Sequence, residues 1–303
     1  MSLRKIKPSS APVASPPSYL NPQPTTTTTA RSLMAMVDPA PFRASTSILA
    51  IANMIGCLIS VLTHSHLHID LIGTGAFALV GLYPILFAAD AATIGNGRIL
   101  WSSAAVTAWG TKLASFLFYR ALVLQHDARL TSTLSTASGI VAFWTISFVW
   151  GLVCSLPHTL GTMSAAPAQS TPTMLGLLLF AVGMVIETLA DAQKWRFKAT
   201  HPAGQYCNVG LWSMSQHPNF FGNLVLWAGI FILNLPALVR SKRILALALL
   251  GPMFMTTLFY GQATGRVTDA VQMAAARYAN QVGYAQYIAE TPLIVPNFLW
   301  TKR

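Results

Sequence analysis

The sequence predicts an all-α fold, a membrane-embedded bundle of about seven transmembrane helices. Three observations predict it: hydrophobic residues make up 53% of the 303 residues, charged residues make up only 9%, and the mean hydropathy is +0.53. Soluble domains carry about 25% charged residues, so this composition is typical of an integral membrane protein. The apolar residues also fall into separate runs, each near the roughly 20 residues that a helix needs to cross a bilayer.

Residues 1–43 form a region of different composition before the first apolar run. The region is rich in Ser, Thr, Pro and Ala, and it contains Arg4, Lys5, Lys7 and Arg31 but no acidic residue before Asp38. Such a composition cannot bury a hydrophobic core, so we expect a disordered tail or a segment resembling an organellar transit peptide. Residues 44–303 are then the membrane-embedded domain.

Seven apolar runs follow within that domain, and each predicts one membrane span. The fifth run is short unless the polar residues after it lie at or inside the membrane interface. The seven runs are residues 46–63, 69–89, 99–124, 139–160, 173–188, 221–239 and 244–265.

The net charge of +11 indicates anionic partners. We expect these partners to be lipid headgroups and an anionic cofactor. No basic and aromatic nucleic-acid-binding module is visible, so we exclude that class of partner.

Neither the cysteines nor the histidines predict a metal site. The three cysteines have no CxxC spacing, which argues against both a disulfide framework and a zinc site. The alternating histidines beside Asp70 are more typical of a solvated cluster at a membrane turn than of metal ligands. These residues are Cys57, Cys154 and Cys207, and His64, His66 and His68.

The most informative stretch, residues 187–227, combines acids, bases and amides in an otherwise apolar chain. Glu187, Asp191, Lys194 and Lys198 follow at steps of four, three and four, so on a helix they share one face. The face begins at the end of an apolar run, where a carboxylate is costly without a partner or water. The face is therefore either an anchor at the interface or the wall of a polar pocket that reaches into the bilayer.

A second helix is predicted to start at Pro218, because proline favours the first helical position and disfavours helix at the residue before it. Its free N–H groups would face the basic residues Lys194, Arg196 and Lys198. A helix N-terminus that faces cations suits an anion such as a pyrophosphate. The alternative is an ordinary helix start without a ligand.

These residues also carry a family resemblance. The pattern Glu-x-x-Ala-Asp-x-Gln-Lys-x-x-Phe-Lys starts at Glu187, and Gly-Leu-Trp-x-x-Ser-x-His-Pro-Asn-x-Phe-Gly starts at Gly210. Together they resemble the DUF1295 branch of the steroid 5α-reductase C-terminal superfamily. A weaker similarity continues through Tyr-x-x-Tyr from Tyr284 and Thr-Pro-x-x-x-Pro from Thr291.

The resemblance implies a multi-pass membrane enzyme that uses NADPH to reduce an activated carbon–carbon double bond. It implies a hydrophobic sterol-like or enone lipid as substrate. We expect a membrane of the endoplasmic reticulum or, if residues 1–43 are a transit peptide, of a plastid or a mitochondrion. It assigns no catalytic residue here, although several tyrosines could donate a proton. The residues that it implies for cofactor binding are Glu187, Asp191, Lys194, Lys198, Ser215, His217, Asn219 and Asn223.

Three positions depart from the family pattern inside this supposed cofactor pocket. The pattern has Arg, Tyr and Glu where this chain has Gln216, Phe220 and Asn223. Each difference removes a charge or a hydroxyl, and a lost charge-assisted contact costs about 1.5–3 kcal/mol. We therefore expect weakened cofactor binding. Lys112 stands where the pattern tends to have Arg, and we expect this charge either to face a cavity or to pair, with Asp90 or Glu187 as candidate partners.

The sequence is also compatible with two other functions. The His-Pro-Asn-x-Phe-Gly segment also resembles the isoprenylcysteine carboxyl methyltransferases, which use S-adenosylmethionine, but the Ala-Asp-x-Gln-Lys segment argues against that family. A nonenzymatic membrane protein with a degenerate cofactor pocket is the second alternative, and the three departures favour it.

Overall fold

The computed structural model describes residues 39–87, 96–125, 133–164 and 170–297, and every regular element in those ranges is a helix. This confirms the predicted all-α fold. The α-helices are α1 (Ala40–Thr63), α2 (Ile69–Gly73), α3 (Gly75–Leu86), α4 (Gly97–Leu124), α5 (Ala137–Thr162), α6 (Thr171–Thr200), α7 (Pro218–Leu238), α8 (Lys242–Ala263), α9 (Ala270–Tyr278) and α10 (Tyr284–Glu290). Short 3-10 helices lie at Thr133–Ser135 and Gly210–Ser213.

Six stretches of the described residues are long and apolar enough to cross a membrane, so the chain is an integral membrane protein. They are α1, α2 together with α3, α5, α6, α7 and α8. The predicted number of seven is not confirmed. The remaining long helix, α4, has 28 residues but carries Arg98, Lys112 and Arg120, and it is not among the six.

Several boundaries differ from the predicted runs. The helix α1 begins at Ala40, so residues 40–43 are its first turn, while residues 1–38 of the predicted tail lie outside the described ranges. The second run is divided at Thr74 into α2 and α3. The fifth run continues as helix to Thr200, which makes α6 about 45 Å long, longer than a hydrocarbon core of about 30 Å. The helices α9 and α10 were not predicted.

The most extensive helix–helix interface joins α6 and α7, which run antiparallel. Gly176 and Gly183 on α6, and Gly222 and Gly229 on α7, repeat at intervals of seven residues and let the two backbones approach closely. A Cβ atom on Gly222 would lie 2.5 Å from the backbone nitrogen of Glu187. The interface therefore holds Glu187 opposite the first turn of α7.

An aromatic cluster fills the centre of the bundle, between α3, α4, α5 and α7. Phe77 contacts Trp109, Trp150 and Trp227 with ring centroids 4.9–5.6 Å apart. Trp109 and Trp227 are themselves 5.0 Å apart in an edge-to-face arrangement. These rings form the largest core cluster and separate two polar regions of the bundle.

One of those polar regions surrounds Arg98, which is completely buried near the start of α4. Its guanidinium donates to the carbonyl oxygen of Gly161 (2.9 Å), to Oδ1 of Asn234 (2.8 Å) and to the carbonyl oxygen of Ser164. Asn234 in turn donates to Oγ of Ser102 at 2.8 Å. Arg98 thus satisfies carbonyl groups at the C-terminus of α5, where helices leave acceptors unpaired.

Candidate functional site

The second polar region contains Lys112 on α4, Glu187 on α6 and Asn223 on α7, which we call the Glu187 cluster. The Lys112 ammonium lies 2.5 Å from Oε2 of Glu187, and the Asn223 amide donates to Oε1 at 2.6 Å. The same amide also donates to the carbonyl oxygen of Asn219 at 3.3 Å. The predicted pairing of Lys112 is confirmed with Glu187, while Asp90 lies outside the described residues.

Burial within the Glu187 cluster is unequal. The Glu187 side chain is 1% exposed, whereas that of Lys112 is 23% exposed. A buried carboxylate is costly without compensating charge and hydrogen bonds, and here both oxygens have a partner. The cluster therefore gives each oxygen of the buried Glu187 carboxylate a polar partner inside the bundle.

The polar face of α6 leads from this buried cluster to its exposed end. Asp191 is half-buried and interacts electrostatically with Glu187 and Lys194. The Lys194 ammonium lies over the Trp212 ring, 3.9 Å from its centroid, which is a cation–π contact. Lys198 lies in the last turn of α6 and is exposed. The shared helical face predicted for these residues is present.

The segment that connects α6 to α7 is folded back onto α6 by hydrogen bonds. Gln193 accepts from the backbone N–H of Leu211 at 2.9 Å, and the Trp212 indole donates to the carbonyl oxygen of Ala190 at 2.8 Å. Gly210 has a φ of +56° and lies against the Gln193 amide, where a Cβ atom would approach to 2.7 Å. These contacts explain the glycine, the tryptophan and the glutamine of the two motifs as structural residues.

The helix α7 starts at Pro218, as predicted, and His217 is its N-cap residue. The His217 backbone N–H donates to Oγ of Ser215 at 3.1 Å, and its ring stacks on Phe220 with centroids 4.8 Å apart. Burial, together with the nearby charge of Lys194, lowers the pKa of His217 from 6.5 to about 4. His217 is therefore neutral at physiological pH.

The three residues that depart from the family pattern all make internal contacts. The Gln216 side chain donates to the carbonyl oxygens of Thr291 (2.7 Å) and Ile288 (3.0 Å). Phe220 stacks on His217 and also on Phe259, 4.6 Å away between centroids. Asn223, the third departure, belongs to the Glu187 cluster. The chain thus uses each substituted side chain for packing or hydrogen bonding.

Residues 56–291 match the family model described as "Protein of unknown function (DUF1295)", a match that covers most of the chain. The chain belongs to the DUF1295 family. No curated protein and no solved structure matches it. The match includes the Glu187 cluster and every residue predicted to bind the cofactor.

The C-terminal segment of this DUF1295 protein packs against the segment before α7. Ser215 donates to the carbonyl oxygen of Ile294 at 2.7 Å, and the Asn297 N–H donates to that of Met214 at 3.1 Å. The Tyr287 hydroxyl donates to the carbonyl oxygen of Trp212 at 2.8 Å. Ser215, predicted to bind the cofactor, therefore faces the C-terminal segment in this structure.

Four tyrosines gather beside the same segment, with ring centroids 5.2–6.2 Å apart. Burial raises the pKa of Tyr287 and of Tyr284. Both phenols therefore stay protonated at physiological pH. The four residues are Tyr206, Tyr278, Tyr284 and Tyr287.

The histidines at the α1–α2 turn are half-buried or exposed. His68 lies 3.1 Å from Oγ of Ser60 and 3.0 Å from the carbonyl oxygen of Gly56 through its Nε2 atom. Across residues 39–87, 96–125, 133–164 and 170–297, no group of three or more His, Cys, Asp and Glu side chains is positioned to hold a metal ion.

The structure brings only part of the predicted site into direct contact. Glu187, Asn219 and Asn223 are linked by hydrogen bonds, whereas Lys198 lies at the exposed end of α6. The structural roles of Gln193 and Gln216 were not foreseen. The seven-residue glycine spacing on α6 and α7 is the sequence signal that could have identified their close interface.

Proposed function

We propose that this DUF1295 protein is an NADPH-dependent membrane reductase that acts on an activated carbon–carbon double bond of a hydrophobic sterol-like or enone lipid. One observation carries the proposal: the Glu187 cluster is linked through Asn223 to Asn219 in the first turn of α7, and Lys194 interacts electrostatically with His217, the N-cap residue of that helix. Family membership adds to it, because the reductase superfamily resembles this chain at the same residues.

The residues at this place fit the chemistry of an anionic dinucleotide. Lys194 and Lys198 supply positive charge, and the N–H groups of Asn219 and Phe220 in the first turn of α7 add hydrogen-bond donors. Oδ1 of Asn219 is buried and has no hydrogen-bond partner among the described residues. This acceptor suits a donor group of the ligand, such as a ribose hydroxyl or the nicotinamide carboxamide.

When bound, NADPH supplies a hydride to the β-carbon of the double bond, and a proton added to the α-carbon completes the reduction with release of NADP⁺. The chain contributes binding and orientation. Lys194 and Lys198 hold phosphates, Asn219 fixes the position of a polar group, and the apolar helices exclude water from the bundle.

Titration of the purified protein with NADPH and, separately, with S-adenosylmethionine tests the proposal. We expect saturable binding of NADPH, weakened at least tenfold by Lys194→Glu or Lys198→Glu, with a smaller loss at high salt. Lys242→Glu is the matched control, because Lys242 begins α8 and is exposed at the opposite end of α7. Binding of S-adenosylmethionine alone would favour a methyltransferase, and equal NADPH affinity in all variants would contradict the phosphate-binding role.

A second candidate is a nonenzymatic membrane protein that retains the fold. The observation in its favour is that Gln216 and Asn223 both use their amide groups for contacts within the protein.

Restoring Arg, Tyr and Glu at positions 216, 220 and 223 distinguishes the candidates. A weakened reductase should gain NADPH affinity more in the triple variant than the single variants predict, because neighbouring polar groups couple by about 0.5–3 kcal/mol. Unchanged binding with a lower melting temperature supports the nonenzymatic protein.

A further inference from the structure

Two buried tryptophans of the aromatic cluster have no hydrogen-bond partner for their indole N–H groups. Trp109 is 1% exposed and Trp227 is 2% exposed, and neither Nε1 atom has an acceptor among the described residues. The other two tryptophans that are buried within the described ranges differ, because Trp144 donates to a serine hydroxyl at 3.0 Å and Trp212 donates to a backbone carbonyl at 2.8 Å. The indole N–H groups of Trp144 and Trp212 thus have acceptors, whereas those of the neighbouring pair Trp109 and Trp227 have none among the described residues.

The position of the pair relates it to the Glu187 cluster. Trp109 precedes Lys112 by three residues on α4, and Trp227 follows Asn223 by four residues on α7. Because α4 and α7 run antiparallel, both steps lead in the same direction, about one helical turn further into the bundle. Two donors therefore lie just inside the polar cluster, within an otherwise apolar environment.

Such donors need an acceptor that the helices themselves do not provide. No oxygen of the described residues accepts from either indole, and a buried N–H without an acceptor costs about 1–3 kcal/mol. An edge-to-face ring contact provides at best a weak N–H···π interaction. The indole is a donor only, so the missing partner is a group that accepts hydrogen bonds, for which a carbonyl oxygen is well suited.

We propose that Trp109 and Trp227 bind the carbonyl oxygen of a conjugated ketone within the membrane bundle. The inference rests on the proposed function, since it places the ketone of an enone one turn from the Glu187 cluster. Hydrogen bonds to that oxygen would withdraw electron density from the conjugated double bond. Trp109 and Trp227 are then substrate-binding residues that select oxygenated over purely hydrocarbon lipids.

The test is an NMR titration of protein labelled with ¹⁵N in its eight tryptophans, without any nucleotide. The small enone cyclohex-2-en-1-one is the probe, and cyclohexene, which lacks the oxygen, is its control. We expect two indole N–H signals to move downfield and saturate with the ketone, and neither to do so with cyclohexene. The titration uses the protein without any substitution, so its result does not depend on whether variants of Trp109 and Trp227 fold.

The variants Trp109→Phe and Trp227→Phe assign the two signals and test their contribution. Loss of one donor should raise the apparent Kd for the ketone about twofold to tenfold. Trp150→Phe is the matched control, because Trp150 packs on Phe77 in the same cluster but is not one of the buried unpartnered donors. It should leave the Kd unchanged.

Three results would overturn the assignment. The two indole signals could fail to move with the ketone, or they could move equally with cyclohexene. They could also lie at hydrogen-bonded shifts before any ketone is added and stay there, and this third result would indicate that an internal water is the acceptor. Ketone shifts without any binding of NADPH would support the tryptophan site and contradict the proposed reductase function. Normal NADPH binding without ketone shifts would remove the tryptophan site alone.

Discussion

Glu187 and Lys112 form an ion pair, and the two residues differ in how strongly each needs the other to compensate its charge. Glu187 is 1% exposed, so it relies on Lys112 and Asn223 for compensation, whereas Lys112 is 23% exposed and has partial access to its surroundings. Removing one member of a buried pair leaves the other charge uncompensated, which costs about 3–5 kcal/mol. The cost should therefore depend on which member is left.

We expect Lys112→Met to destabilise the protein more than Glu187→Gln does. The first substitution leaves a buried carboxylate without a cation, at a cost of about 3–5 kcal/mol. The second keeps the shape of the side chain and leaves a partly exposed ammonium. Melting temperatures in detergent measure both. The double variant Lys112→Met/Glu187→Gln should recover part of the loss, and equal losses in the two single variants would contradict this account.

His217 should make the stability of the protein depend on pH. Its pKa is about 4 in the folded protein and 6.5 when unfolded, so the unfolded chain binds the extra proton first as the pH falls. Stability should therefore decrease from about pH 6.5 to about pH 4, by about 1–3 kcal/mol from this residue. His217→Gln should flatten the profile of melting temperature over that range. Parallel profiles for parent and variant would show that His217 does not contribute.

At the scale of the helices, the α6–α7 interface determines where the polar residues lie. Glycines on both helices remove side chains from the contact, so the backbones approach closely along most of its length. The close approach brings Asn223 within 2.6 Å of Glu187. A wider interface would separate these side chains and leave the carboxylate without one of its hydrogen bonds.

We expect Gly183→Val to destabilise the protein by about 1–3 kcal/mol, the usual cost of overpacking. A Cβ atom at this position would lie 2.6 Å from the carbonyl oxygen of Gly222 and 2.8 Å from the Cβ atom of Leu226. The control is Ala181→Val, which enlarges an exposed side chain on the same helix. Melting temperature measures both, and similar values for the two variants would show that the interface adjusts without cost.

At the scale of the whole molecule, the C-terminal segment joins distant parts of the chain. Gln216 binds this segment through its backbone N–H to Pro292 and through its side chain to Thr291 and Ile288. These contacts connect residues more than 70 positions apart, beside the start of α7. They use an uncharged amide at a position where the family pattern has arginine.

Gln216→Ala should loosen the C-terminal segment. The substitution removes two side-chain hydrogen bonds, each with a net value of about 1 kcal/mol, and should reduce protection of the Asn297 amide against hydrogen exchange about fivefold or more. Gln286→Ala is the control, because the Gln286 side chain donates to the exposed Glu290 within α10 and not to the C-terminal segment among the described residues. Unchanged protection in the Gln216 variant would mean that other contacts hold the segment.

Part of the candidate site could be predicted from sequence. Pro218 was identified as a helix start and the polar residues of α6 as one face, because both depend on local backbone preferences. The pairing of Lys112 was left open between two acids, since the 75 positions that separate it from Glu187 give no local signal. The roles of Gln193 and Gln216 likewise depend on which segments fold back on each other.

The amino-acid sequence was sufficient to identify an all-α membrane protein of the DUF1295 family and the start of α7 at Pro218. These features follow from composition, apolar run length and local motifs, which a single sequence contains in full. The positions of the helices in space were needed to show that Glu187 is buried against Lys112 and Asn223 and that Gln216, Phe220 and Asn223 have internal partners. They were also needed to show that the indoles of Trp109 and Trp227 have no acceptor among the described residues. Hydrogen bonds and burial depend on how close separate helices come, and that distance is determined by packing along the whole interface.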